Sequence, residues 1–344
     1  MPLARYIYQL IPEPIRKARR DFMGWIRNWL ELLQNEIYDL RLVARHTMAI
    51  KSEYSKDNQR ARLTICYHKI EKALSLPTPR PGFGRKWILA EFIPLLSGYY
   101  ASYGRDDMVE ICCLDLQKYV EFNQKLACDL ADLQMAIGRL LQQVGWTKLG
   151  EGGGVKSMNV SDVNEAMMVD FEKFAGLRHS VRNFSDSAVE AVEIEKAIQA
   201  ARHTPSVCNR QPWHVYFLSD KPRIKAALEH QNGNAGISEN IQVLLVIMGD
   251  LTAMMSSIER NQIWVDGGMF SMSVVYALHA RGLATCCLNL CLHGVQEDRL
   301  KDFLKAPSHY RPLMMIAVGH YPVAFKVACS QRKPVAAILT TGGI

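Results

Sequence analysis

Two different spacings of hydrophobic residues divide the 344-residue chain into a helical half and a half that alternates helices with strands. Over residues 14–50, apolar side chains recur at three- and four-residue steps with basic residues between them, which predicts an amphipathic helix. A short helix is predicted from residue 66, and residues 89–145 again follow a helical pattern. The first half is therefore expected to be mostly helical.

The second half predicts strands and helices in alternation. Its first helix is expected to begin at Asp186 or Ser187, and its last to end just before Gly282, where a glycine commonly follows a helix. Alternation of this kind predicts an α+β fold, a mixed β-sheet sandwiched by helices. The predicted strands are 213–219, 242–250, 283–290 and 311–321, and the predicted helices are 187–203, 222–231 and 266–282.

A glycine cluster separates the two halves. Gly150 and Gly152–Gly154 follow the last helical stretch of the first half, and glycine-rich segments are typical of linkers. We therefore expect a basic helical extension over residues 1–155 and a second domain over residues 156–344.

The composition is typical of a soluble protein in a reducing compartment. The nine cysteines are an odd number without a Cys-x-x-Cys pair, so free thiols are expected, and no His/Cys spacing predicts a metal site. The sequence has no run of 18 apolar residues and no apolar signal-peptide core. These features predict a cytoplasmic protein.

Positive charge is concentrated in the first hundred residues, which hold 17 Lys and Arg against 9 Asp and Glu, whereas the rest hold 24 against 25. A solvated helical face is the simpler explanation, and contact with an anionic surface is the other. The first predicted helix also carries Trp25 and Trp29 beside arginines. Packing against the protein or a partner subunit is favoured for this helix, and a peripheral position on the inner membrane stays open.

Two arginines and a serine precede the 187–203 helix in the sequence RHSVRNFS. Arg178 and Arg182 lie four residues apart with Ser180 between them, a spacing that can aim both guanidinium groups at one point. Such a set can hold a phosphate dianion, with each charge-assisted hydrogen bond contributing about 1.5–3 kcal/mol. A solvated helix start is the alternative.

The connection before the first strand, HTPSVCNRQPW, is rich in amide and conformationally rigid residues. Pro205 fixes the turn, and Gln211 is expected to be extended because it precedes Pro212. Ser206 and Asn209 offer short polar side chains. Such a loop can present N–H groups and amides to a ligand with several acceptor atoms.

Three further polar segments follow: EHQNGNAG before the second strand, Asn289 at the end of the third, and Arg332 after the fourth. The order of RHSVRNF, PSVCNRQPW, RGLATC and IAVGHYP along the chain, with these segments between and after them, resembles the nitroreductase family of FMN-dependent oxidoreductases over residues 175–340. The chain departs from the family pattern at Val207, where a second small polar residue is usual, and Cys208 lies next to Asn209.

The resemblance implies a cofactor role for each segment. The arginine–serine segment and the C-terminal arginine would grip the ribityl phosphate, and the PSVCN loop would lie along the flavin ring of the neighbouring subunit in a homodimer. Asn289 would lie near the flavin N5 edge, and Gln231 or Asn234 would contact the pyrimidine end. The implied FMN-binding residues are Arg178, His179, Ser180, Arg182, Pro205, Ser206, Asn209, Gln231, Asn234, Asn289 and Arg332.

The implied function is passage of a hydride from NADH or NADPH via flavin N5 to a small organic acceptor, as in nitroreductases and quinone reductases. No catalytic side chain is expected because the cofactor carries the redox chemistry. Two alternatives stay open: a flavin-consuming or dehalogenating relative, and a flavin-binding scaffold protein without turnover. No nucleic-acid partner is expected.

The segment HKIEKALSLPTPRPGFGRK resembles the N-terminal extension of nitroreductase-like proteins associated with bacterial surface-polysaccharide genes. This resemblance implies a context in polysaccharide or secondary metabolism. One hypothesis is that the segment folds over the flavin pocket, with His68 or Arg80 touching the substrate. The favoured alternative is that it braces the two domains against each other.

Overall fold

A computed structural model describes residues 12–50, 53–126, 130–147, 153–156, 160, 169–234, 237, 240–328, 330 and 332–341. The helical character predicted for the first half is confirmed. A helical turn, Arg85–Trp87, and a π-helical turn, Ile88–Phe92, lead into its third helix. The helices of this half are α1 Glu13–His46, α2 Lys56–Leu74, α3 Ile93–Tyr103, α4 Asp107–Lys125 and α5 Ala131–Gln143.

The second half contains all four predicted strands. Its helices are α6 Phe171–Leu177, α7 Ala191–Ala201, α8 Lys221–Leu228, α9 Gln262–Ala280 and α10 Gly294–Leu304. Its strands are β1 Trp213–Leu218, β2 Val243–Asp250, β3 Leu283–Asn289 and β4 Tyr310–His320. Gly282 follows α9 with φ 72°, the left-handed conformation expected of a glycine after a helix.

Three details of the second half differ from the sequence-based expectations. Helix α6 was not predicted. Helix α7 begins after Glu190, not at Asp186 or Ser187. The chain before it is held against the end of β4, because the Ser185 N–H donates to the His320 carbonyl at 3.0 Å. Helix α10 was not predicted, since its sequence GVQEDRLKDFL is mostly charged.

The sheet has four strands in the order β1-β2-β4-β3, and all three strand pairs are antiparallel. The one parallel element found in the described residues is an isolated bridge between Ser180 and Thr285. The α+β fold is confirmed, and the mixed character of the sheet is limited to this bridge.

Helices cover both faces of the sheet. On β2, Leu244, Val246 and Met248 pack towards α8 and α10, and the alternate residues pack towards α7 and α9. Because successive side chains of a strand point to opposite faces, a central strand covered on both sides must be apolar at almost every position. This explains the continuous run VLLVIMG.

The first half has a hydrophobic core of its own, formed by α2 to α5. Its largest fully buried side chains include Leu63, Ile70, Phe92, Tyr99, Leu116, Tyr119, Leu133 and Ile137. Much of the predicted linker at 150–165 lies outside the described residues, and the boundary near residue 155 stays a prediction.

The two halves meet along α1 and α2. Tyr38 of α1 donates a hydrogen bond to Asp298 of α10 at 2.7 Å, and Arg311 of β4 forms an ion pair with Asp39 at 2.9 Å. Asn58 of α2, which is fully buried, donates to the Thr252 carbonyl at 2.8 Å. Buried hydrogen bonds of this kind fix the helical half against the turn that follows β2.

Candidate functional site

The predicted phosphate-binding segment runs along the open edge of β3. The Val181 N–H donates to the Thr285 carbonyl at 2.9 Å, and the Val181 side chain is fully buried in the sheet core. These contacts fix the backbone of the segment and leave Arg178 and Ser180 half-buried and Arg182 exposed at the edge of the sheet.

The positive charges of Arg178 and Arg182 both act on the thiol of Cys286 on β3. Burial raises the pKa of this thiol, and the positive charges of Arg182 and Arg178 oppose the shift. In the part of the chain that the structure describes, neither guanidinium forms an ion pair with a carboxylate. Arg182 donates to the Ser180 carbonyl at 3.3 Å, so the positive charges of this segment lie at the edge of the sheet, and their role in phosphate binding stays a prediction. We call Arg178, Ser180 and Arg182 the arginine cluster.

A histidine and a tyrosine that were not predicted lie beside the arginine cluster. Nε2 of His279 lies 3.1 Å from the Phe174 carbonyl, and Nδ1 lies 2.9 Å from the Tyr321 hydroxyl. Burial lowers the pKa of His279, and the charges of Arg178 and His179 act in the same direction. A neutral His279 that donates from Nε2 and accepts at Nδ1 fits both contacts. These residues are distant in sequence, and no local motif marks them.

The PSVCNRQPW loop is held in an unusual backbone conformation. Cys208, Asn209 and Gln211 have φ values of 49°, 55° and 49°, in the left-handed region that non-glycine residues rarely adopt. The expectation that Gln211 would be extended is therefore wrong. Its backbone N–H donates to Oγ of Ser206 at 2.9 Å, and its side-chain amide donates to Asn209, so local hydrogen bonds override the preference set by the following proline.

Arg210 locks this loop onto the body of the domain. Its guanidinium is fully buried, pairs with both oxygens of Glu259 at 2.8 and 2.9 Å and donates to the Ala253 carbonyl at 2.5 Å. The Val207 N–H donates to Asp266 at 3.2 Å. Burial alone would raise the pKa of Glu259, but hydrogen bonds led by that from Arg210 lower it overall. Strained backbone held this firmly is a common property of functional loops.

The EHQNGNAG segment and Asn289, which are predicted to contact the flavin ring, lie next to each other. The buried amide of Gln231 donates to the Asn289 carbonyl at 3.1 Å, which joins the end of β3 to the loop after α8. The Asn234 amide donates to the Leu228 and Gln231 carbonyls, so it closes the end of α8. Asn289 is exposed, and its Oδ1 accepts from the Cys291 N–H at 3.2 Å.

The arginine cluster and the PSVCN loop lie far apart within one chain. The sheet register sets Thr285 level with Val243 across β4, and Trp213, which follows the loop, is level with Gly249. Thr285 and Trp213 are thus separated by six residues along the strands and by three strand-to-strand steps across the sheet. This gives a diagonal of about 25 Å between them. The described chain does not bring these two groups to one point.

His179 lies within the arginine cluster segment, whereas Arg332, His68 and Arg80 have no hydrogen bond or ion pair with the cluster among the described residues. Arg332 is exposed and donates to the Ser330 carbonyl. His68 pairs with Glu71 at 3.1 Å, and exposed Arg80 borders a separate shallow groove at residues 80–87. The described residues contain no cluster of three or more potential metal ligands, and none of their helices is long and apolar enough to cross a membrane.

Comparison with known proteins identifies relatives of the second half. The model of the nitroreductase family matches residues 176–232 and 220–320. The chain is 24% identical over 199 residues to iodotyrosine deiodinase of Haliscomenobacter hydrossis, a match covering 49% of this chain and 87% of that protein. It is 26% identical over 154 residues to the FMN reductase (NADPH) of Bacillus subtilis, covering 41% of this chain and 61% of that protein.

Solved structures are similar over about half of the chain. A nitroreductase family protein from Streptococcus pneumoniae matches 50% of this chain and 100% of its own, with a TM-score of 0.42 and 20% identity. The stretch matched by the family model contains the arginine cluster, the PSVCN loop and the whole sheet. Residues 176–320 of this chain are thus similar to the nitroreductase family, and the helical half lies outside that match.

Proposed function

We propose that the protein is an FMN-dependent oxidoreductase that transfers a hydride from NADH or NADPH to a small organic acceptor. The observation that carries the proposal is the arginine cluster, in which two arginines without a carboxylate partner among the described residues flank Ser180 at the edge of the sheet. A phosphate dianion satisfies such a set by charge-assisted hydrogen bonds. Bound FMN would supply hydride acceptance and donation at N5.

The positions along β3 fit an elongated ligand. The arginine cluster is level with Thr285, and the Gln231 contact is level with Asn289. Four residues of strand separate these levels by about 13 Å. A cofactor with its phosphate at the cluster and its pyrimidine end near Gln231 would lie along this edge, with Asn289 beside the ring.

A homodimer is part of this proposal. The diagonal of about 25 Å between the arginine cluster and the PSVCN loop is longer than one flavin mononucleotide. Pro205, Ser206 and Asn209 of one chain therefore serve the cofactor held by the other. His179 and Arg332 are included in the phosphate site because of the resemblance of their segments to the family.

Peripheral membrane contact is proposed for α1, while the enzyme itself is placed in the cytoplasm. Phe22, Trp25 and Trp29 are 59%, 58% and 55% exposed. At 100° per residue, Phe22 and Trp29 lie on the side of α1 opposite Tyr38, which packs on the domain. The described chain leaves this aromatic stripe uncovered, and aromatic residues beside arginines favour the surface of an anionic membrane.

The proposal is tested by an absorbance spectrum of the purified protein, followed by anaerobic addition of NADH and then NADPH. Flavin bands that bleach are expected, and reoxidation by a quinone or nitroaromatic completes the cycle. Flavin bands that persist with both nucleotides would favour a scaffold role. A colourless protein that cannot be reconstituted with FMN would refute the proposal.

The dehalogenating alternative is favoured by one observation, the similarity to iodotyrosine deiodinase over 199 residues. The same reduced sample distinguishes it. Release of iodide from 3-iodotyrosine at a rate above that of quinone reduction would establish the alternative. Flavin reoxidation by quinones without iodide release supports the oxidoreductase.

A further inference from the structure

A cleft between the two halves of the chain has no assigned role. Its volume is about 430 Å³, within the range of small-molecule sites. Two walls come from α2 and α4 of the helical half, and the other two from the PSVCNRQPW loop and the end of β2. We call it the interdomain cleft. Asp57, Arg60, Thr64, Tyr67, Asn209 and Gln211 are among its lining residues.

The cleft adjoins the loop assigned to the flavin ring. Asn209 and Gln211 line it with the left-handed backbone described above. Because the proposed function brings this loop to the flavin of the partner subunit, an acceptor that reacts at that flavin can extend into the cleft. The helical half would thereby supply part of the acceptor site, through residues that the nitroreductase family model does not cover.

The positive charges at the cleft are neutralised by partners. Arg60 pairs with Asp106 at 2.8 Å and with Asp107 at 2.6 Å. Lys56 also pairs with Asp106, at 3.5 Å. Arg210, the other cation of the lining, is held by the bidentate pair with Glu259. None of these side chains offers a free positive charge to a ligand.

Two carboxylates of the lining have no lysine or arginine partner in the described part of the chain. Asp57 is exposed on α2, and Asp250 at the end of β2 accepts from the Thr252 hydroxyl at 2.7 Å and lies 3.9 Å from His309. Both carboxylates line the cleft, whose three aspartates outnumber its two arginines. The interdomain cleft therefore carries an excess of negative charge.

We propose that the interdomain cleft holds the part of the oxidising substrate that lies away from its reacting group, and that Asp57 and Asp250 select cationic acceptors over anionic ones. This inference rests on the proposed function. The reducing nucleotide needs only its nicotinamide at the flavin and does not depend on the cleft.

The test uses the FMN-loaded enzyme, reduced with NADH, and two nitroaromatic probes of opposite charge: 4-nitrobenzyltrimethylammonium and 4-nitrobenzoate. Reoxidation rate constants at low ionic strength are expected to favour the cation at least about tenfold, and about 0.5 M salt should reduce the preference. Asp57→Asn should lower the cation-to-anion ratio about fivefold, and adding Asp250→Asn should lower it further. Asp302→Asn, an exposed carboxylate on α10, is the matched control and should leave the ratio within twofold.

The outcomes separate the two proposals. Failure to bind FMN or to accept a hydride would refute the proposed function. Normal reduction together with equal reoxidation by both probes, or an Asp57→Asn ratio that matches the Asp302→Asn control, would refute the cleft inference alone. Reduction by NADH recorded for every variant shows whether a slower turnover arises from the acceptor step.

Discussion

The two halves of the molecule are built on different principles. In the sheet half, central β2 is apolar on both faces, and the polar residues lie at strand ends and sheet edges, where the proposed cofactor site is. In the helical half, polar side chains are buried inside the core: Asp115 and Asn123 are fully buried on α4.

Three of the buried polar residues of the helical half each hold a segment of irregular chain. Asn123 accepts from the Gly82 N–H at 2.7 Å, Asp115 accepts from the Gly154 N–H, and Asn58 binds the Thr252 carbonyl. Segments that resemble free linkers in sequence are thus fixed to helices. The comparison teaches that the helical half is a wall for the sheet half. The Gly82 contact fixes the segment 68–86 to α4 within the helical half, and its brace and cover interpretations both stay predictions.

The largest expected effect is on cofactor binding by the sheet half. The double substitution Arg178→Gln/Arg182→Gln removes two charge-assisted hydrogen bonds of about 1.5–3 kcal/mol each, so the Kd for FMN should rise at least about a hundredfold. Fluorescence titration of the apoprotein with FMN measures it. The control is Arg223→Gln, an exposed arginine of α8. Equal Kd values for the double variant and the control would contradict the assignment of the arginine cluster as the phosphate site.

The next effect concerns the buried carboxylate of the helical half. Burial raises the pKa of Asp115 from its ordinary 3.8 to about 7, against the hydrogen bond from Gly154. Because the folded protein holds this proton more tightly, stability is greatest below about pH 4 and declines as the pH rises through about 7.

Asp115→Asn mimics the neutral carboxyl and should remove this decline. Relative to wild type, the variant should gain up to about 4 kcal/mol between pH 4 and pH 8. Denaturant unfolding at the two pH values measures the gain. Parallel pH dependences of the two proteins would contradict the burial argument.

The buried ion pair that holds the PSVCN loop gives a smaller effect on stability. Arg210→Met leaves Glu259 without its buried partner and should cost about 3 kcal/mol of unfolding free energy. Arg281→Met breaks the Arg281–Glu193 pair at the surface, which water screens, and should cost much less than Arg210→Met. Chemical denaturation of both variants compares the two pairs. A similar loss for each would mean that Arg210 does not lock the loop.

The smallest effect on stability is expected at the aromatic stripe of α1. Phe22→Ser/Trp29→Ser should change the unfolding free energy by less than about 0.5 kcal/mol because both side chains are exposed. Co-sedimentation with vesicles of anionic phospholipid should be lost, whereas Ile258→Ser, at an apolar side chain 85% exposed elsewhere, should leave it intact. If the wild type does not bind vesicles and the double variant no longer dimerises, the aromatic stripe is a contact surface for a second copy of the chain.

Prediction from sequence succeeded wherever the pattern was local. All four strands, the long α1 and the position of Gly282 follow from apolar periodicity and helix-end preferences, which depend on neighbouring residues. Helix α10 was missed because its inward positions include Glu297 and Lys301, which are buried only because Arg311 and Tyr38 reach them from β4 and α1. No short stretch of the sequence contains both these buried charges and the partners that neutralise them.

The candidate site divides in the same way. The arginine cluster and the PSVCN loop could be proposed from the sequence because their residues are contiguous and their types suit a phosphate and a planar ring. The reversed φ of Gln211, the burial of Arg210 against Glu259 and the contribution of α2 to the interdomain cleft were decided by the tertiary structure. Each depends on groups brought together from distant parts of the chain, whose desolvation and hydrogen bonds outweigh the local preferences that a sequence displays.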